Sequence, residues 1–267
     1  MTMPQSKEQM AARLDAMKKQ WEQKKKLSEN LGKIKKKIAV YSGKGGVGKT
    51  TVAVNLAVTF AKRGKKVALL DADIDCPNVL KIMKLPAMPR MVDGRIIPAE
   101  MHGVNVISMG SFQEKEEEAI IWRGPMIHNA LNQFLELTDW GDLDILFVDL
   151  PPGTSDAPLT VMQILKLDGF VVVTTPQELA MIDAKRSMNM IRKMNIQILG
   201  VVENMSSDIF GRGGGELLAK QMGTQFLGAI ELDKGFREPP APAVLVDAHI
   251  RQEFEKIADQ IERNLAS

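Results

Sequence analysis

Nine consecutive residues, Ser42-Gly43-Lys44-Gly45-Gly46-Val47-Gly48-Lys49-Thr50, carry the clearest chemistry in the chain. They fit GxxxxGK[ST] and lie between an apolar run and a helical pattern, the context in which such a loop works. Glycines let the backbone curl so that several N–H groups converge on phosphate oxygens. A helix starting near Lys49 points its positive dipole end at the same oxygens. Lys49 brings a charge to the β- and γ-phosphates, and the Thr50 hydroxyl can ligate Mg²⁺. The expected phosphate site therefore comprises Gly43, Lys44, Gly45, Gly46, Val47, Gly48, Lys49, Thr50 and Thr51. Lys44, five positions before Lys49, cannot easily fold back onto its own phosphates. It can reach the nucleotide of a facing subunit.

Two acidic segments complete the constellation. Leu69-Leu70-Asp71-Ala72-Asp73 ends an apolar run in carboxylates, at the edge where open α/β sheets bind ligands. Ile145-Leu146-Phe147-Val148-Asp149 does the same and continues into Leu150-Pro151-Pro152-Gly153-Thr154. An apolar strand ending in Asp after a phosphate loop suits a Mg²⁺ site, with Asp149 holding the ion through water. Pro151-Pro152-Gly153 stiffens a loop near the γ-phosphate, suited to reporting whether that phosphate is present.

These residues need strand ends and helix starts to hold them, and the remaining sequence supplies both. Strands are expected at Ile38–Ser42, Val67–Asp71, Val104–Met109, Ile145–Asp149, Phe170–Thr174, Ile198–Asn204 and Phe226–Ile230. They are continuous apolar runs, as for strands buried on both faces of a parallel sheet. Helices fill Thr50–Arg63, 125–137, 156–167, 178–193, 214–222 and 248–265. In the last, Ile250, Phe254, Ile257, Ile261 and Leu265 share one face. The pattern predicts a doubly wound α/β fold with a mainly parallel sheet of about seven or eight strands. Gly213-Gly214-Gly215-Glu216 reads as a turn opening a helix, because no Lys-Ser/Thr pair follows.

Ahead of the sheet, residues 5–36 read as a helical arm, with Met10, Leu14, Met17 and Trp21 on one stripe and Leu27, Leu31 and Ile34 repeating it after a slip. The expected division is a basic amphipathic arm over 1–36 and a nucleotide-binding domain over 37–267. Residues 1–37 hold eleven Lys/Arg against four Asp/Glu, so the rest of a chain of net charge +2 carries −5. That asymmetry argues against a protein built to coat nucleic acid. No apolar run approaches the ~20 residues of a membrane span. The N-terminus MTMPQSKEQM lacks the apolar segment of a signal peptide, so cytoplasmic residence is expected. The single cysteine, Cys76, excludes an intrachain disulfide and any site built from several cysteines of one chain. His102, His128 and His249 are scattered and show no recognisable ligand spacing.

The segments resemble the Mrp/ApbC family of nucleotide-dependent iron–sulfur cluster carriers, within the deviant Walker A group beside MinD and the nitrogenase iron protein. The resemblance covers about residues 36–237. It rests on SGKGGVGKTTVAVNLA at 42–57, DADIDCPN at 71–78, IWRGPM at 121–126 and DWGDLDILFVDLPPGTSDAPLT at 139–160. It continues with VVVTTPQELA at 171–180, LGVVENMS at 199–206, FGRGGGELLA at 210–219 and FLGAIELD at 226–233. The resemblance implies an ATP-binding, Mg²⁺-dependent, slowly hydrolysing homodimer with clients in iron–sulfur assembly. Lys44 corresponds to the signature lysine that crosses to the partner's nucleotide. Asp73 matches the switch I aspartate that positions water, and Asp149 the switch II aspartate. Asn204 resembles the asparagine that reads the adenine edge. Asp233 is a further adenine-side residue, although Glu231 stands where the family usually has proline.

One departure changes the expected cargo chemistry. The family follows Asn-Met-Ser with a Cys-x-x-Cys pair, and two such pairs bridge a cluster across the dimer. Here Asn204-Met205-Ser206-Ser207-Asp208-Ile209-Phe210 runs directly into Gly211-Arg212-Gly213. Thiolates are the usual iron–sulfur ligands, so a cluster held in the family's way is not expected. Cys76 reads as a small packed residue. An alternative is a cluster-free, MinD-like switch that binds a client or surface through its basic arm. The C-terminal helix mixes Arg251, Lys256 and Arg263 with Glu253, Glu255, Asp259 and Glu262, which argues against a membrane-binding tail. A metabolic kinase or synthetase of related fold would need a substrate pocket, and no motif marks one.

Overall fold

The computed structural model describes residues 15, 18, 21–22, 25–73, 76–85, 89–112 and 124–266. Most of the N-terminal stripe, with Met10, Leu14 and Met17, lies outside the described residues, as do 121–123 of the IWRGPM segment. Ten strands are described: β1 (Ile34–Ser42), β2 (Val67–Asp71), β3 (Arg90–Val92), β4 (Arg95–Ile97), β5 (Ala99–Met101), β6 (Val104–Ser108), β7 (Leu143–Asp149), β8 (Gly169–Thr174), β9 (Ile198–Ser206) and β10 (Phe226–Glu231). The principal helices are α1 (Lys49–Lys62), α2 (Val79–Met83), α3 (Gly124–Leu137), α4 (Asp156–Leu165), α5 (Glu178–Lys193), α6 (Gly214–Gln221), α7 (Ala243–Val246) and α8 (Ala248–Ala266).

Eight strands form one sheet in the order β10-β9-β8-β1-β7-β2-β6-β5, parallel except for β5 against β6. Successive strand residues point to opposite faces, and here both faces are apolar. Ala39, Tyr41, Leu70, Leu146 and Val148 enter one core, and Ile38, Val40, Leu69, Ile145 and Phe147 enter the other. That double burial produces the continuous apolar runs seen in the sequence. The chain leaves β1 for β2 and β6 on one side, later fills the gap with β7, and then continues to β8, β9 and β10 on the other. The end of β1 thus lies where the winding reverses, the usual binding crevice of such sheets.

The principal difference from expectation is at the start. β1 begins at Ile34, four residues earlier than the apolar run suggests, because Ile34 pairs with Leu143 across a lysine-rich stretch. Ile34 and Leu31, assigned by periodicity to the arm, are core residues. Residues 25–31 are helical. The Asn30 side chain donates to the carbonyls of Leu135 and Thr138, tying this segment to the end of α3. The short pieces β3, β4, β5, α2 and α7 carried too little periodicity to be read.

Candidate functional site

Two features of β1, β7 and β2 assemble the site. Parallel register sets Asp149 beside Val40 and opposite Asp71, while β1 runs on to Ser42 and releases the glycine loop above them. α1 then opens at Gly48, a left-handed residue (φ 82°) with no capping side chain and no acid in the first turn. The first N–H groups of a helix have no intrahelical partner, so this uncapped end is suited to an anion. α6 shows the opposite solution. It too opens at a left-handed glycine, Gly213, but the buried Glu203 carboxylate accepts from Gly213 N (3.0 Å) and Gly215 N (2.6 Å). A protein carboxylate already fills that cradle, in keeping with the reading of Gly213–Gly215 as a helix-opening turn.

The loop glycines are required by close packing as well as by backbone angle. A Cβ on Gly43 would stand 2.2 Å from the carbonyl carbon of Asp183 in α5, and one on Gly48 would stand 2.1 Å from Asn204 Nδ2. Asn204 Nδ2 donates to Val47 O at 2.9 Å, so Asn204 buttresses the loop from the end of β9.

Inside the loop the buried Lys49 Nζ lies 2.6 Å from Asp149 Oδ1, 3.8 Å from Asp73 Oδ2 and 3.5 Å from Thr50 Oγ1. Burial pushes the Asp149 carboxyl upward, opposed by the Lys49 charge and by hydrogen bonds from Lys49 and Thr50. Asp71 is also buried, and its carboxyl is pushed up to about 8, first by loss of water and then by the Asp149 charge. Val79 N–H, the Ser108 hydroxyl and Lys49 act against that rise. Lys49 faces Asp149 directly, so Asp149 is the member held ionised and Asp71 the one that retains a proton.

Asp149 Oδ2 is sealed from solvent and accepts no hydrogen bond. A buried carboxylate oxygen left unpaired is costly. Beside the Thr50 hydroxyl it fits a hydrated Mg²⁺, so these donors suit the ion expected from the sequence. A cavity of about 500 Å³ opens above them, lined by Lys44, Gly45, Gly46, Gly48, Lys49, Thr50, Thr51 and Asp73 among others. Lys44 is half-buried at its rim and makes no ion pair among the described residues. The fold therefore brings Lys44, Lys49, Thr50, Thr51, Asp73 and Asp149 together. Asn204 reaches them through Val47. Asp233 does not line the cavity; its carboxylate accepts from Gly235 N (2.6 Å) in the turn after β10. Cys76, expected to be packed, is instead exposed and lines the cavity, because the segment after β2 carries it out beside the glycine loop.

Sequence reading missed three supporting residues. Tyr41, the one tyrosine of the chain, is buried in β1 and donates its hydroxyl to the Gly153 carbonyl of the Pro-Pro-Gly segment. Burial pushes that phenol up to about 12, so it remains a donor throughout the neutral range. Ser108 braces Asp71 from β6, and Glu203 caps α6. Tyr41 had a visible signal in its position just before the loop; Ser108 and Glu203 had none, because Ser108 meets Asp71 of another strand and Glu203 meets the N–H groups that open α6 only once β9 and α6 are folded together.

A glycine loop between a strand and an uncapped helix, with a buried Lys–Asp pair at the switch point of a doubly wound sheet, defines a P-loop nucleotide-binding protein. The family model described as ParA, the NUBPL iron-transfer P-loop NTPases, matches residues 33–266, and the chain belongs to that family. It is 45% identical over 252 residues to an iron–sulfur cluster carrier protein of Methanocaldococcus jannaschii, covering 88% of this chain and 87% of the relative. It is 40% identical to another from Methanococcus maripaludis, covering 92% and 91%. Among solved structures, the ADP complex of an Archaeoglobus fulgidus nucleotide-binding protein aligns with a TM-score of 0.69 at 33% identity, covering 91% and 93%. The cell-division ATPase MinD of Pyrococcus furiosus aligns at 0.67 and 23% identity, covering 86% and 99%, a likeness of fold alone.

Proposed function

We propose that the chain is a homodimeric, Mg²⁺-dependent ATPase, slow and dependent on dimer formation, that serves iron–sulfur cluster carriage or assembly without holding a cluster in the usual way. The observation that carries the reading is the convergence of Lys49, Thr50, Asp73 and Asp149 under a loop whose other lysine, Lys44, has no ion-pair partner among the described residues. Bound Mg²⁺ would supply charge neutralisation at the β- and γ-phosphates, with Thr50 and Asp149 as its protein side, the latter through water. ATP would draw Lys49 from Asp149 onto the phosphates. Two subunits then close face to face, and Lys44 of each neutralises phosphate charge on the other, as an arginine finger does. Asp73 orients the attacking water, and release of the γ-phosphate relaxes the 151–153 segment. Asn204 and Asp233 are proposed for the adenine side.

The iron–sulfur role is supported by family membership and by relatives named as cluster carriers. The single cysteine speaks against a directly bridged cluster. Protein clients in cluster assembly, rather than nucleic acid or membrane, are the partners that fit. No helix among the described residues is long and apolar enough to cross a membrane, and the cytoplasm is the proposed compartment. The test is Lys44→Ala: ATP hydrolysis should fall to background while nucleotide affinity, measured by calorimetry, stays within a few-fold of wild type. Hydrolysis at the wild-type rate would remove the cross-subunit lysine from the mechanism.

A further inference from the structure

The three histidines show no ligand spacing in the sequence, but the fold gives one of them carboxylate neighbours. His249 stands in the first turn of α8 and Glu253 one turn later, and the end of β10 places Glu231 beside them. Among the described residues these form the one group of three whose ligand atoms all lie within 4.8 Å of one another. His249 Nε2 is 3.5 Å from Glu231 Oε2 and 3.7 Å from Glu253 Oε1. Zinc-type bonds of about 2.1 Å at tetrahedral or octahedral angles place ligand atoms about 3.0–3.4 Å apart, so small side-chain shifts would close this set on one ion.

A second observation separates this group from an ordinary surface cluster. Glu253 is only 9% exposed, its carboxylate faces His249, and its Oε2 is sealed from solvent with no hydrogen-bond partner. Native proteins rarely leave such an atom unpaired. The other carboxylate oxygens already have the supports seen around metal ligands, which are commonly held by an outer layer of hydrogen bonds. Glu253 Oε1 accepts from Glu231 N at 3.1 Å, and Glu231 Oε1 accepts from Arg212 at 2.8 Å, leaving Glu231 Oε2 toward the imidazole. Asp247 fixes the first turn of α8 by accepting from His249 N (2.8 Å) and Ile250 N (3.0 Å).

We propose that Glu231, His249 and Glu253 form a binding site for a divalent first-row transition cation. One imidazole nitrogen with two carboxylates favours Zn²⁺, Fe²⁺ or Co²⁺ over Mg²⁺, which prefers oxygen ligands. Glu231 and Glu253 bring two carboxylates to one imidazole, and the nearest cation, Arg212, is shared with Asp208, so the cluster is suited to a dication. His249 and Glu231 are open to solvent, so water can complete the coordination. The site is separate from the Thr50–Asp149 magnesium position and uses no cysteine.

The experiment titrates nucleotide-free protein with CoCl₂ in excess Mg²⁺, read by visible absorption, and with ZnCl₂, read by calorimetry. One Co²⁺ per chain is expected, with a nitrogen- and oxygen-ligand spectrum free of thiolate charge-transfer bands. His249→Gln and Glu231→Gln should each weaken both metals at least about tenfold, with nucleotide affinity and thermal unfolding unchanged. Both positions are solvent-accessible, so these variants avoid the folding risk of replacing Glu253. Absence of saturable binding, or binding undiminished in His249→Gln, would overturn the assignment. So would a thiolate spectrum abolished by Cys76→Ser.

Discussion

Asp71 offers a direct test of the site's electrostatics. Its side chain is fully buried, it accepts from Asp73 N, Val79 N and Ser108 Oγ, and its carboxyl is pushed up to about 8. In the unfolded chain an aspartate titrates near ~3.9. Between those values the folded state holds a proton that the unfolded state has released. This contribution to stability is complete below about pH 4 and is lost as pH rises toward 8. The slope is about 1.4 kcal/mol per pH unit, or roughly 2–3 kcal/mol between pH 5 and 7.

Asp71→Asn removes the titration but keeps a side chain of the same shape. Whatever fixed cost the amide incurs against the Val79 and Ser108 donors does not vary with pH, so the slope isolates the charge. Urea unfolding of both proteins at pH 5, 6 and 7, with chelator and without nucleotide, gives the difference in stability at each pH. That difference should shift in favour of the variant by about 2–3 kcal/mol across the range. Groups that do not interact with Asp71 cancel between the two proteins, and the difference reports the coupled Asp71–Asp149–Lys49 cluster. A difference flat to within about 0.5 kcal/mol, or one that moves in favour of wild type, would show that Asp71 is ionised in the fold and that Lys49 neutralises both acids.

Two further perturbations probe the scaffold. Gly43→Ala sets a Cβ 2.2 Å from the Asp183 carbonyl carbon. A helix backbone cannot swing away as a side chain can, so nucleotide binding should be lost and stability should fall by about 2–3 kcal/mol. Gly45→Ala, with nothing within 4 Å of its Cβ, should melt like wild type, and thermal denaturation with nucleotide titration compares the two. Arg63, at the end of α1, pairs with Glu255, Asp259 and Glu262 of α8 at 2.5, 2.8 and 3.1 Å and lies over the Phe60 ring. Arg63→Ala should cost about 1–2 kcal/mol, with the gap narrowing in high salt because its partners are partly exposed. Urea titrations at two ionic strengths measure both effects.

The legible parts of this protein share one physical origin. β2 and α5 match their expected bounds, Val67–Asp71 and 178–193, because double burial writes an unbroken apolar run and single burial writes a 3.6-residue stripe. The loop residues were equally readable, since GxxxxGKT constrains backbone and charge within eight positions. Interactions between distant segments leave no such trace. Lys35, Lys36 and Lys37 hide the first half of β1, whose pairing with β7 is fixed only in three dimensions. The Tyr41–Gly153 bond spans 112 residues, and Glu253 meets Glu231 N only because α8 lies on β10. His249 had no meaning beside His102 and His128 until the fold supplied Glu231.

The short segment after β9 is closed by its own bonds and held through the end of that strand. Ser207 N donates to Gly211 O at 3.0 Å, Phe210 N to Ser207 Oγ at 3.1 Å, and Arg212 bridges Asp208 and Glu231. The turn carries Ile209, 84% exposed, outward. Two adjacent residues of β9 govern its attachment: Glu203 grips Gly213 and Gly215 on one side, and Asn204 grips Val47 of the phosphate loop on the other. Neighbouring strand residues face opposite sides of the sheet, so one strand end touches both the glycine loop and the start of α6. Contacts therefore run without a break from Val47 through Asn204 and Glu203 to the glycines that open α6. Arg212 extends that link to Glu231, one of the three residues assigned to the cation.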